Sequence, residues 1–339
     1  MNLSSLDDLV PHPRIWEGLQ RVEERLFEAS TSDDPYLTKV AQHLLLAGGK
    51  RFRPLLTLVA AELGGAESPP GHDHQRRAVE AGVAVELIHV GSLYHDDVID
   101  EADTRRGAAS VNINWSNTVA ILAGDFLMAR ASEVAATYLS QESVRLLART
   151  YAELVEGQTR ELQLVDGLDH TVDDYDQVIG GKTASLIRTS ARLGAMAAEA
   201  RPVVVEAVST WAWELGLVFQ MADDALDLVA TEEVLGKPAG SDIREGTFTL
   251  PVLLALGGPG GDRLRELLSL PRPYPHPTVE EVIRVVRDGG YVDETLDRAL
   301  RRADTAREAI AVLPEGEAKD VLGRMAAYLV ERVNAARAG

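Results

Sequence analysis

The chain contains no cysteine, which excludes a disulfide framework and a thiolate metal site and fits a reducing, cytoplasmic setting. Positive charge is also scarce, with 34 Lys and Arg against 53 Asp and Glu, a net charge of −19 over 339 residues. An exterior of that sign repels nucleic acid and anionic membrane surfaces, so no nucleic-acid partner is expected. The opening segment, residues 1–10, holds two aspartates and no basic residue and reads as neither a signal nor a transit peptide. No apolar run approaches the roughly 18 residues that span a bilayer, so no transmembrane segment is expected. Alternating runs of β-branched residues are nearly absent, which argues against a sheet-based fold.

What is present is apolar residues, 45% of the chain, recurring at three- and four-residue spacing along most of its length. That period predicts an all-α fold with an ample core. Helices are expected over about 13–30, 35–47, 53–64, 74–100, 117–137, 141–165, 173–200 and 203–230, with several shorter ones up to about 337. Gly64-Gly65 through Gly71, Gly257 to Gly261 and Pro271 to Pro277 read as surface loops. None is long enough for an interdomain linker, so residues 1–339 are expected to form one domain.

One short acidic motif occurs twice, as Asp96, Asp97, Asp100 and as Asp223, Asp224, Asp227. On a helix the first and last aspartates lie one turn apart on one face, within reach of a common ion. Mg²⁺ suits them, because it is commonly held by one or two carboxylates together with substrate phosphates. A single run of this kind ordinarily means a solvated helix face or a helix end. Here both copies end apolar stretches, and both extend backward on their own face, through Ser92 and His89 in the first and Gln220 in the second. Such a stripe lines a buried cleft or faces water.

Two basic clusters accompany the motifs, Gly48-Gly49-Lys50-Arg51-Phe52-Arg53-Pro54 and Asp103-Thr104-Arg105-Arg106-Gly107. Guanidinium groups bind phosphate oxygens in pairs and an ammonium adds a point charge, so these are candidate diphosphate donors; taken singly, each also reads as a solvated patch.

Over nearly its whole length the sequence resembles the trans-isoprenyl diphosphate synthase (polyprenyl synthetase) family. The segments carrying the resemblance are GGKRFRP at 48–54, LYHDDVIDEADTRRG at 93–107, AGDFLMARA at 123–131, GQTREL at 157–162, GKTASL at 181–186, FQMADDALD at 219–227 and GKPAGSDIREGTFTLP at 236–251. The resemblance implies a bundle of antiparallel helices around a deep central cavity, usually a homodimer, that condenses isopentenyl diphosphate with an allylic diphosphate. It implies three Mg²⁺ held by Asp96, Asp97, Asp100, Asp223, Asp224 and Asp227. It further implies an allylic diphosphate on Arg105, Lys182 and Lys237, an isopentenyl diphosphate on Lys50, Arg53, His89 and Arg106, and an allylic cation faced by Thr183 and Gln220. The glycine pair Gly180-Gly181 would let backbone come close to that cation, or mark a helix start or kink. His95 is expected to take a structural or supporting role. One departure stands out: many members carry lysine where this chain has Thr247.

Product length is expected to depend on the helix bearing the first motif. Short-chain members of the family place an aromatic residue four or five positions before the first aspartate; here Gly91 and Ser92 occupy those places, with Ile88 a turn deeper. A product of geranylgeranyl length or longer is therefore expected, with at most transient membrane contact when it is released. Three rivals compete with this reading. A phosphate-binding kinase loop ending in Gly181-Lys182-Thr183 would need its first glycine at Asp176 and a preceding strand, and has neither. A terpene cyclase would have no use for GGKRFRP and His89. A non-catalytic regulatory subunit would be expected to have lost some of the six aspartates.

Overall fold

A computed structural model describes residues 9–64, 72–229 and 239–338; Lys237 and parts of the loop at 64–71 and of the 236–251 segment lie outside them. The described residues are overwhelmingly helical. In chain order the helices are α1 (Pro13–Ala29), α2 (Pro35–Ala41), α3 (His43–Leu46), α4 (Phe52–Ala61), α5 (His72–Ile99), α6 (Val111–Asn114), α7 (Asn117–Tyr138), α8 (Gln141–Leu164), α9 (Val172–Ile179), α10 (Ser185–Ala197) and α11 (Pro202–Val229). These are followed by α12 (Ser241–Glu245), α13 (Leu250–Leu256), α14 (Gly261–Leu268), α15 (His276–Asp288), α16 (Tyr291–Ala309) and α17 (Glu317–Ala338). A π-helical turn, Gly180–Ala184, joins α9 to α10, and a two-stranded antiparallel hairpin pairs β1 (Thr104–Arg105) with β2 (Ala108–Ala109).

Local signals set the starts of these helices. Asp34 caps α2 by accepting from the Tyr36 amide at 2.8 Å, Ser116 caps α7 through the Val119 amide, and Thr171 with Asp174 forms a capping box on α9. Proline sits in the first turn of α1 and α2, where its missing N–H costs no hydrogen bond. Along α1 the buried residues Ile15, Leu19, Val22, Leu26 and Ala29 form one stripe at helical spacing.

The chain groups into two compact units, each assembled from separate segments. The first comprises residues 1–151, 186–209 and 312–322. Its central helix is α5, which packs against α1, α4 and α7. Val83, Val85, Leu87, Val90 and Tyr94 of that helix are fully buried. The Tyr94 hydroxyl meets the carbonyl oxygens of Val40 and Ala41 at 2.8 and 3.0 Å, so burying it leaves no polar group unsatisfied. Glycines set two close crossings. A Cβ on Gly194 of α10 would collide with the Thr57 carbonyl of α4, and one on Gly91 of α5 would lie 3.1 Å from the Gly124 carbonyl of α7. Gly91 therefore meets a neighbouring helix rather than open space.

The second unit comprises residues 152–185, 210–311 and 323–339, and within it α13 packs against α9, α14, α15 and α16. The long helix α11 corrects the hydropathy reading. It is long and apolar enough to cross a bilayer, with mean hydropathy 1.3, but 61% of that window is buried inside the protein. Burial against other helices, with three aspartates near its end, is the environment of a core helix.

Candidate active site

In the first unit the acidic motif occupies the last turn of α5, with Asp96 half-buried, Asp97 buried and Asp100 exposed. The middle residue is distinct from the other two. Asp97 turns inward, one oxygen accepting from Arg105 Nε at 2.7 Å and the other, Oδ2, buried with no hydrogen-bond partner among the described residues. Burial pushes its carboxyl above the usual carboxylate range. The hairpin delivers Arg105, and Asn112 secures it by donating to the carbonyls of Asp97 and Ala102.

Two turns before the motif, His89 stands among guanidinium groups. Burial, then the charges of Arg53, Arg106, Arg51 and Arg105, hold its imidazole well below the ordinary histidine range. A neutral imidazole of that kind is a poor proton acceptor and still donates one N–H, which suits anion binding better than general-base work. Burial also pushes Arg53 down to about 10, with Arg106 adding repulsion and Glu86 opposing it; it stays charged at neutral pH. Its Nε is buried without a partner among the described residues. Arg106 Nη1 donates to the carbonyls of Leu44 and Gly48. Lys50 is exposed beside them.

Sequence reasoning passed over the residues that hold this cluster together. Arg51 is only 5% exposed; it pairs with Glu23 of α1 through Nε and Nη2, reaches Glu86 at 3.3 Å and donates to the Leu45 carbonyl. Glu86, 1% exposed, is thus a carboxylate buried among arginines. Arg51 and Arg106 both adopt left-handed backbone, with φ of 46° and 55°, which costs about 1–2 kcal/mol for a non-glycine residue and is often met where function fixes geometry. Gly49 leaves room for the guanidiniums of both Arg51 and Arg106, which a Cβ there would press aside. His95 lies over Gly124, 3.4 Å from Asp125 and 3.2 Å from the Ile121 carbonyl, a supporting position on the α5–α7 contact.

In the second unit the other acidic motif sits near the end of α11. Asp223 is half-buried, while Asp224 and Asp227 are each 3% exposed. Unlike Asp97, this middle aspartate has protein partners on both oxygens: Tyr175 Oη donates to its Oδ2 at 2.6 Å and Gln220 Nε2 to its Oδ1 at 2.9 Å. Burial raises Asp224 to about 7 against the pull of those two hydrogen bonds, with Asp223 and Asp227 adding repulsion. Thr183 Oγ1 in turn donates to Gln220 Oε1 at 3.1 Å, and Lys182 pairs with Glu161 of α8. After residues 230–238 the chain returns to this motif, the Asp242 amide meeting Asp227 Oδ2 at 3.3 Å. Thr247 follows Gly246, a left-handed glycine whose carbonyl accepts from the Asp166 amide.

Among the described residues no three His, Asp or Glu side chains converge to enclose a metal unaided. The chemistry of each motif nonetheless fits Mg²⁺. Asp97 offers a buried, unsatisfied oxygen, and the second motif crowds like charges that a cation would relieve; this ion completes its shell with water and phosphate oxygens.

A family model described as Polyprenyl synthetase matches residues 34–286. The chain is 39% identical over 329 residues to the nonaprenyl diphosphate synthase of Mycobacterium tuberculosis (strain H37Rv), covering 96% of each protein. It is 37% identical over 317 residues to the heptaprenyl diphosphate synthase component 2 of Geobacillus stearothermophilus, covering 93% of this chain and 96% of that one. Its fold matches the polyprenyl synthase of Caulobacter crescentus CB15, a crystal structure complexed with calcium and isoprenyl diphosphate, with a TM-score of 0.85, 34% identity and 97% of both chains covered.

Proposed function

The chain belongs to the polyprenyl synthetase family and is a prenyltransferase that makes trans-prenyl diphosphates; from that premise we propose a Mg²⁺-dependent head-to-tail condensation of isopentenyl diphosphate with an allylic diphosphate, giving geranylgeranyl diphosphate or a longer chain. One observation carries the reading. His89, around which the arginines of α4 and the hairpin gather, and Asp96 of the acidic motif sit on one helix, seven residues and therefore about 10 Å apart along its axis. Guanidiniums bind a diphosphate directly, whereas carboxylates can bind one only through a cation. Two differently built sites for two diphosphates are what a condensation of two diphosphate esters needs.

Asp96, Asp97, Asp100, Asp223 and Asp227 would hold Mg²⁺, three ions in all, Asp97 through its unpartnered oxygen, with Asp224 backing them. A metal held there with substrate would supply positive charge to neutralise the departing allylic diphosphate. Arg105, Lys182 and Lys237 share that task. Arg53, Arg106, His89 and Lys50 hold isopentenyl diphosphate so that its double bond lies against the forming cation, an advantage of orientation. Thr183 and Gln220 direct oxygen atoms toward the cation. The proton released from the adduct goes to the departing diphosphate, since His89 is held neutral and weakly basic. Thr247 in place of lysine would either weaken allylic diphosphate binding or be compensated by Lys237 together with bound metal. Both compact units belong to this one catalytic domain, as the family match running through segments of each supports. The cysteine-free composition supports a cytoplasmic location.

Separate sites give separable kinetics. Arg53→Ala or Lys50→Ala is expected to raise the Michaelis constant for isopentenyl diphosphate about tenfold or more with little change for the allylic substrate, and Arg105→Ala to do the reverse. Steady-state titration of each substrate in turn checks this, and equal shifts for both would dissolve the assignment.

The same reading includes a homodimer. Helix α8 exposes Ala148, Ala152, Val155, Thr159 and Leu162 at alternating spacings of four and three, a small, mostly apolar stripe without cover among the described residues. Self-complementary packing of such stripes about a twofold axis would bury them. Sedimentation of the purified protein should show a dimer, and Val155→Glu combined with Leu162→Glu a monomer. The relative named as component 2 points to a second reading, a different chain on this stripe; a wild-type protein that is monomeric and inactive alone would favour it.

A further inference from the structure

Tyr175 belongs to no segment that carries the family resemblance, yet it anchors one end of a hydrogen-bonded chain that ends on Thr183. The ring is 5% exposed on α9, whose start the Thr171–Asp174 capping box fixes. Its hydroxyl donates to Asp224 Oδ2 at 2.6 Å; Gln220 Nε2 donates to Asp224 Oδ1 at 2.9 Å; Thr183 Oγ1 donates to Gln220 Oε1 at 3.1 Å. The phenol is the donor in the first bond, which sets that bond's direction.

Asp224 accepts from Tyr175 through Oδ2 and from Gln220 through Oδ1, so in this arrangement each neighbour donates to it. That arrangement fixes which way the Gln220 amide is turned: its N–H faces Asp224, so its carbonyl faces Thr183. The backbone holds the far end as firmly. Gly180–Ala184 forms the π-helical turn carrying Thr183, and it lies against α11 where Gly216 has no side chain. A Cβ there would come within 2.7 Å of Ala184 Cα. Trp213 packs on Gly180 in the same way.

We propose that Tyr175 is a positioning residue for the condensation, fixing through Asp224 the orientation of the Gln220 amide and, through that amide, the Thr183 hydroxyl. The proposal rests on the synthase reading, in which Thr183 and Gln220 face the developing cation. It assigns to the buried phenol a role that neither metal binding nor diphosphate binding requires.

The test is a double-mutant cycle on the full-length protein, using Tyr175→Phe, Thr183→Val and their combination, with kcat and both Michaelis constants measured at saturating Mg²⁺. Tyr175→Phe removes one oxygen and keeps the ring, so kcat should fall about tenfold, the scale of one hydrogen bond, with both Michaelis constants within about twofold. If the residues act as one chain, the double variant should lose little more than the worse single variant. Losses that multiply would overturn the proposal, as would unchanged kcat in Tyr175→Phe or failure of that variant to fold, which would make the residue structural. Wild-type turnover in the same assay separates the two ideas: without it the synthase reading itself fails, and with it a multiplicative cycle counts against Tyr175 alone.

Discussion

Asp96→Ala and Asp223→Ala are each expected to lower turnover by at least about a thousandfold, roughly 4 kcal/mol in the barrier, while the protein stays folded. Both residues begin an acidic turn, and neither is the buried middle aspartate that bonds to Arg105 or to Tyr175 and Gln220. Removing one carboxylate from a like-charged turn relieves repulsion when no metal is bound. The metal-free melting temperature should therefore be unchanged or slightly raised. The stabilisation that Mg²⁺ with a diphosphate gives the wild type should shrink in both variants. Near-normal turnover in either would remove that motif from the metal site, and a large fall in melting temperature would mean that the aspartate is structural.

Ser92→Phe is expected to shorten the product while largely retaining the first condensation. Ser92 lies one turn before Asp96, is half-buried, and among the described residues bonds through its hydroxyl to the His89 carbonyl. Ile88, a further turn back, is 5% exposed. A ring at position 92 would narrow the path of a growing chain close to its reacting end. Gly91 supplies a control, since a side chain there would meet the Gly124 carbonyl at 3.1 Å and Met128 Cε at 3.0 Å, across the contact of α5 with α7. Gly91→Phe should accordingly destabilise the protein rather than tune its product. Mass spectrometry of products with isopentenyl diphosphate in excess decides the point. A wild-type enzyme that stops at farnesyl diphosphate, or a Ser92→Phe variant with unchanged product lengths, would end the open-floor account.

Much of this architecture was legible in the sequence, because helical period and the acidic motifs are local signals. The helices over 13–30, 117–137, 141–165 and 203–230 appear within a residue or two of those bounds. What escaped is information that only the fold brings together. Expected helix 35–47 divides into α2 and α3, and 173–200 is interrupted by the π turn at Gly180–Ala184, where the glycine pair did mark a distortion. The two-residue strands beside Arg105 are too short for any periodicity to reveal. Glu23 and Glu86 lie 28 and 35 residues from Arg51, and Tyr175 lies 49 from Asp224, so no spacing rule links them. A signal existed at Glu86, an ionisable residue inside an otherwise apolar stretch. Gly91 shows the opposite limit: the resemblance put it with Ser92 at the chain-length position, but which neighbouring helix it faces is a property of packing.

Incubating the purified protein, alone and with Mg²⁺, with isopentenyl diphosphate and each of dimethylallyl, geranyl and farnesyl diphosphate, and reading products by mass spectrometry, tests the proposed condensation most directly. The expected result is a ladder of trans-prenyl diphosphates extended in five-carbon steps beyond farnesyl diphosphate, dependent on both substrates and abolished by chelation of the metal. Consumption of the allylic diphosphate alone to a hydrocarbon or alcohol, or no turnover until another chain is added, would contradict it.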